Sequence, residues 1–255
     1  LLASESRQAS FIAIAKGDVE AKHWFKLGRS MTVIGKNKGL VSWSGTMFEY
    51  LMPVLIMKSY KNTLLSETYY SVVEGQKRYG RKKKIPWGIS ESAFYEFDRN
   101  FNYQYKAFGI PGIGLKRGLE EETVISPYST VMALLIDRKC AFENMVRLSN
   151  EGMEGRYGYY EAADYTKSRL PKGVQKEVVK CFMVHHEGMS LMALDDALKD
   201  NILQERFHEI PRVKATDLLL QERVPKTIIY DREPKINSES IGNYKYRIIA
   251  RECNT

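Results

Sequence analysis

Apolar residues recur at helical spacing in one segment after another of this chain, and that periodicity restricts it to helix-dominated architectures. Residues 1–16 carry Leu2, Ala9, Ile12 and Ala13 in a helical pattern that Gly17 ends. Residues 45–60 are apolar nearly all round, which predicts a buried helix, with Pro53 marking a kink or a fresh start. Residues 64–83 read as a more polar helix, and two more are expected over 127–137 and 139–150. A longer pattern runs over 174–199, interrupted by Gly188, and a last helix over 213–222 is closed by Pro225. The fold class expected is all-α. Helices that alternate with long loops fit a toroid of paired helices, though a globin-like or solenoid packing would read similarly.

The loops carry the chemistry. Residues 17–44, 84–118 and 151–172 are long and rich in Gly, Tyr and Trp, and such loops are where binding groups concentrate. Beyond Pro225 the periodicity fades, so 226–255 reads as a linker with one short strand near 244–249.

Bulk properties remove several alternatives. A chain of 255 residues forms one large domain or two small ones and buries a core without staples. Its three cysteines lack the number and spacing of a disulfide framework or a zinc site, and fit a reducing compartment. No run reaches the roughly 18 apolar residues that cross a bilayer, and the first ten residues have no signal-peptide pattern. They begin without Met, in what reads as mid-helix, so a segment of a longer chain is expected. The net charge of +8 could suit a polyanion. However, the dense basic run Arg81, Lys82, Lys83 and Lys84 ends a helix, where cations are favourable anyway, so no nucleic-acid partner is expected.

Several carboxylates sit where sugar chemistry could use them. Glu91 lies in IPWGISESAFYEF beside Trp87, Gly88 and Tyr95, and a carboxylate among aromatic walls can attack or stabilise an anomeric carbon. The competing reading is a helix first turn capped by Ser90. Glu5, next to Arg7, reads as either a buried ion-pair partner or a catalytic acid. Glu49 lies on the most apolar helix, where an unpaired carboxylate is costly; a structural hydrogen bond to a loop backbone or a substrate contact would account for it. Glu161 and Asp164 lie among Tyr157, Tyr159, Tyr160 and Tyr165, as in an aromatic-lined cleft or a plain loop network. His185, His186 and Glu187 are not a zinc HExxH motif, because Ser190 stands where the second His would be. Neighbouring helical residues point about 100° apart, so hydrogen bonding of His186 to a hydroxyl or a carboxylate is expected, with no metal and no cofactor. Gly112, Gly114 and Gly118 have the wrong spacing for a dinucleotide loop.

Taken together and in order, the runs LLASESRQASFIAIAKGDV, HWFKLGR, LVSWSGTMFEYLMP, PWGISESAF, NYQYKAFGIPGIGLKRGL, EGRYGYYEAADYT, VHHEGMSLMAL and LLLQERVP resemble the glucoamylase-like domain of bacterial cyclic β-1,2-glucan synthases. The resemblance covers most of residues 1–225. It implies an (α/α)6 toroid, incomplete on its N-terminal side, with 226–255 leading toward a phosphorylase-like domain. It also implies transglycosylation that closes a linear β-1,2-glucan into a ring, with the glucan and other domains of the same polypeptide as partners. The implied location is the cytoplasmic side of the bacterial inner membrane, within a larger membrane protein, with no insertion by this segment. By motif, Glu5 takes the acid/base role and Glu91 that of nucleophile, while Trp43, Glu49, Trp87, Tyr103, Tyr160, Glu161 and His186 contact the glucan. Such a pair needs Glu5 protonated and Glu91 ionised, which an apolar helix around Glu5 and a polar loop around Glu91 would favour. The alternatives kept are an inverting β-1,2-glucan hydrolase and a non-catalytic glucan-binding segment.

Overall fold

The computed structural model describes residues 1–225; the expected linker and strand over 226–255 lie outside the described residues. Residues 2–6 form turns, not a helix, and α1 (Arg7–Lys16) begins only at the arginine, closing on left-handed Gly17. Helix α2 (Lys22–Lys26) follows, buried through Trp24, which packs edge-on against Phe11. Strands β1 (Met31–Ile34) and β2 (Asn37–Leu40) then form an antiparallel hairpin. It lies directly on α4 (Leu64–Lys83), for a Cβ at Gly39 would meet Ser71 at 2.9 Å.

Helix α3 (Met47–Leu51) starts on a capping box of Thr46 and Glu49. The continuous helix expected over 45–60 does not form. Pro53 lacks the N–H that an α-helix needs there, and the chain tightens into a 3₁₀ turn, Met52–Leu55. Helix α4 matches its expected span of 64–83 and starts on a second capping box, Thr63 with Ser66. Its buried face includes Leu64, Thr68, Tyr69, Val72 and Gln76, the spacing of one helical stripe.

The all-α expectation is too simple. Among the described residues the long loops hold four small sheets, the largest of three strands. Strands β3 (Ser92–Phe97) and β4 (Tyr103–Lys106) make a bulged hairpin. Strands β5 (Val124–Ile125), β8 (Ala162–Asp164) and β9 (Glu177–Val179) form an antiparallel sheet in the order β5-β8-β9. Between them come α5 (Pro127–Met132), α6 (Arg138–Leu148) and the small hairpin of β6 (Glu154–Gly155) and β7 (Gly158–Tyr159). Helix α7 (Val184–Leu198) passes through Gly188 without a break. Helices α8 (Ile202–Glu209) and α9 (Pro211–Thr216) follow, and the helix expected over 213–222 is replaced by the end of α9 and a 3₁₀ turn, Asp217–Gln221. A buried His208 joins this end to the 3₁₀ turn after α3. Its Nε2 accepts from the Lys58 N–H at 3.0 Å, and its Nδ1 lies 2.5 Å from Asp217.

Candidate active site

Glu91 is held by its backbone before its side chain does anything. It lies in the turn that leads into β3, so the helix-cap reading of Ser90 and Glu91 does not hold. Two buried amides clamp the approach. Gln76 on α4 donates to the Ile89 carbonyl and accepts from the Ile89 N–H, both at 2.9 Å. Asn144 on α6 treats Trp87 likewise, at 3.1 and 2.8 Å. Between them Gly88 adopts φ 120°, and a side chain there would strike the hydroxyls of Thr130 and Ser129 at 2.8 and 2.9 Å. Only glycine suits that conformation and that space.

At Glu91 itself, the N–H donates to Thr46 Oγ1 at 3.0 Å, and the carbonyl accepts from Tyr128 Oη at 3.0 Å. The buried Ser90 hydroxyl lies 2.8 Å from both Thr46 Oγ1 and Tyr128 Oη, closing a ring of hydroxyls behind the turn. Fixing the peptide groups on both sides of one residue gives the carboxylate a defined origin, which chemistry requires.

The loop that supplies Thr46 also carries Trp43, 61% exposed. Glu49 holds this loop. Its carboxylate accepts from Ser42 Oγ at 2.6 Å, from the Ser44 N–H at 3.1 Å and from the Thr46 N–H at 3.3 Å. Buried and engaged by three loop residues, Glu49 supports the loop. Gly114, in the glycine run set aside as a dinucleotide loop, has a packing task here, since a Cβ on it would sit 2.8 Å from the Ser44 carbonyl carbon.

The Glu91 side chain accepts a hydrogen bond from Tyr105 Oη at 2.8 Å. The same hydroxyl lies 3.3 Å from His186 Nε2 and 3.5 Å from His185 Nε2. Sequence reasoning passed over Tyr105, two residues from the Tyr103 it singled out. It also expected the adjacent histidines to diverge, whereas in the first turn of α7 their rings sit 4.0 Å apart and both reach Tyr105. His186 continues inward: Nδ1 lies 2.9 and 3.0 Å from the two Glu161 oxygens, and Glu161 also accepts from the Ala93 N–H at 3.1 Å. Both side chains are 2% exposed.

The remaining sequence candidates separate. Trp87 is 8% exposed and packs in the core. Tyr103 packs against Phe97, ring centroids 4.6 Å apart, and Tyr160 against Phe182 at 5.5 Å. Asp164 is consumed by Arg169 and by the N–H groups of Tyr95 and Thr166. Glu5 stands in the turn before α1, half-buried, accepting from Ser4 Oγ at 2.9 Å. Arg7 does turn away from it, onto the carbonyls of Glu49 and Tyr50.

Electrostatics correct one expectation. Burial pushes the Glu91 carboxyl above the usual carboxylate range, and the negative charges of Glu5 and Glu49 push it further. The Tyr105 hydrogen bond and the charge of His186 act against this rise. A polar loop therefore does not keep Glu91 low; the turn is buried from behind by the hydroxyl ring.

This chain belongs to the glucoamylase family described as "Putative glucoamylase", which it matches over residues 1–211. It is 47% identical over 228 residues to the cyclic beta-(1,2)-glucan synthase NdvB of Rhizobium meliloti (strain 1021). That alignment covers 89% of this chain and 8% of the synthase, so the chain spans a small part of its relative's length. Its fold is shared with an endo-beta-1,2-glucanase from Chitinophaga pinensis, solved with sophorotriose and glucose. There the TM-score is 0.54 at 16% identity, over 77% of this chain and 47% of the other. A beta-1,2-glucanase from Parabacteroides distasonis gives 0.52 at 18% identity, over 85% of this chain and 30% of the other. Among the described residues no helix is long and apolar enough to cross a membrane, and no cluster of His, Cys, Asp or Glu could hold a metal ion.

Proposed function

We propose that this chain acts on β-1,2-glucan as part of an (α/α)6 toroid, breaking and remaking glycosidic bonds with Glu5 and Glu91. The observation that carries the reading is Glu91 itself: backbone-fixed, half-buried, held by Tyr105 and within the field of a second glutamate. The identity to a cyclic glucan synthase supports β-1,2-glucan as the substrate and transglycosylation as the outcome. Exposed Trp43, on the loop that holds Glu91, offers a face for a sugar ring to stack on.

In this reading the Glu91 carboxylate attacks the anomeric carbon while Glu5 gives its proton to the departing oxygen. The C–O bond to the leaving chain breaks as the ester to Glu91 forms. Glu5 then takes the proton of an incoming sugar hydroxyl, whose oxygen displaces Glu91. Retention calls for the two carboxyls to stand about 5–5.5 Å apart around a bound sugar. The remainder of a larger synthase polypeptide, on the cytoplasmic side of the inner membrane, would supply the other domains.

Product analysis on linear β-1,2-glucan tests the reading. Cyclic products or lengthened chains are expected, and short linear products alone would establish hydrolysis instead. Hydrolysis is the second reading, favoured by the shared fold with two β-1,2-glucanases.

The pH profile gives a second test. Glu91 must be ionised to attack, so activity is lost as pH falls through its raised value, above the ordinary carboxylate value of about 4.3. Tyr105→Phe removes a hydrogen bond that favours the carboxylate, so the acid limb of kcat/KM moves to higher pH. Were Glu91 the acid instead, the same variant would move the alkaline limb.

A further inference from the structure

The Tyr105 hydroxyl has one proton and three neighbours. Glu91 Oε1 lies at 2.8 Å, His186 Nε2 at 3.3 Å and His185 Nε2 at 3.5 Å. An ionised Glu91 only accepts, so the tyrosine gives its proton there, and any second bond must be donated to the tyrosine oxygen. His186 can do so only with a proton on Nε2. Its Nδ1 already faces both oxygens of Glu161, which also takes the Ala93 N–H and so has no reason to donate. A His186 that satisfies both sides carries two protons.

We infer that Glu91 and His186 exchange one proton through the Tyr105 hydroxyl, with buried Glu161 as the counter-charge that holds the imidazolium when Glu91 is ionised. The step balances. In one direction the Nε2–H bond of His186 breaks as a new O–H forms on Tyr105, whose original O–H breaks as one forms on Glu91. The reverse step strips Glu91 and leaves imidazolium facing carboxylate. No proton enters or leaves the set, so Glu91 can be made nucleophilic while a glucan covers it from water. This rests on the proposed role of Glu91 and adds Glu161 and His186 as positioning residues.

The surroundings of His186 agree. Tyr128 of α5 stacks beneath its ring, centroids 3.7 Å apart and planes within 10°, a face that suits a cation. On its own helix, His185 is pushed down by burial and by the charge of His186, and Glu187 is pushed up by burial and by Glu161.

Glu161→Gln tests the relay, since the amide oxygen can still accept from the Ala93 N–H. The acid limb of kcat/KM on linear β-1,2-glucan is expected to move up by roughly one pH unit, with KM little changed. Most of that shift should vanish when Tyr105→Phe is already present, because the wire is then cut. Equal loss at every pH, or the same shift with and without Tyr105, would overturn the inference. Imidazole ¹⁵N spectra of the full chain separate this from a failure of the proposed function. Glu91→Gln should remove the Nε2 proton of His186 at a pH where the parent keeps it, and should do so only while Tyr105 is present. An unchanged His186 spectrum refutes the relay, whereas an active Glu91→Gln variant refutes the role of Glu91.

Discussion

Glu91→Gln is expected to leave a folded chain that binds β-1,2-glucan and turns it over at least roughly 10³-fold more slowly. The fold should survive because the residue is fixed through its backbone, by Thr46 at the N–H and Tyr128 at the carbonyl. The amide keeps an oxygen for Tyr105, so the local hydrogen bond also persists. In the proposed mechanism, what disappears is the charge that bonds to the anomeric carbon. The Tyr105 hydroxyl, engaged with Glu91 and the two imidazoles, does not replace it. Adding azide separates the two glutamates. In Glu91→Gln it would displace the leaving chain directly and give the inverted glycosyl azide. In Glu5→Gln it would intercept the glycosyl ester and give the retained one. Full activity of Glu91→Gln, with unchanged products, would remove this residue from the chemistry.

Parts of this site could be read in the chain and parts could not, for physical reasons. Helix α4 matched its expected span because its signals are local: a Thr cap, a regular apolar stripe and a basic last turn. The Glu91 turn was visible as a carboxylate among aromatics, yet its aromatic neighbour Trp87 proved to be core. That burial depends on Asn144, which only the tertiary fold brings to its backbone. Hairpins were missed because their strands are two to six residues long, too short for a period-two pattern to stand out from loop sequence. Gln76 and Asn144 look like ordinary polar helix residues until the fold turns them inward. Tyr105 had a signal of its own, the alternation Tyr103, Gln104, Tyr105, Lys106, that strand reading would have placed on β4. His186 was expected to meet a hydroxyl or a carboxylate and Glu161 a cleft or a loop network; that they meet each other is information held by neither segment alone.

The largest stability effect is expected at Arg7. Its side chain is 0% exposed, and its guanidinium donates to five oxygens: the carbonyls of Ala3, Ser4, Glu49 and Tyr50, and the Tyr69 hydroxyl. No carboxylate offsets the charge among the described residues, because Glu49 has turned its own to the Trp43 loop. Burying such a cation is costly, and it persists because one planar fork ties three elements together. Those elements are the turn that bears Glu5, the α3 end and α4. Arg7→Ala would strand these acceptors away from water and is expected to cost about 3–5 kcal/mol. For a chain of this size that lowers Tm by roughly 10 °C. Arg7→Lys keeps the charge but reaches fewer oxygens, so an intermediate loss is expected. The same cut frees the Ser4 carbonyl and with it the placement of Glu5, so residual activity should fall even below the melting range. Thermal unfolding of the three proteins, with turnover measured well under the lowest Tm, checks both parts. A loss below about 1 kcal/mol for Arg7→Ala would mean that the carbonyls find water and that the fork is not what joins α1 to the site.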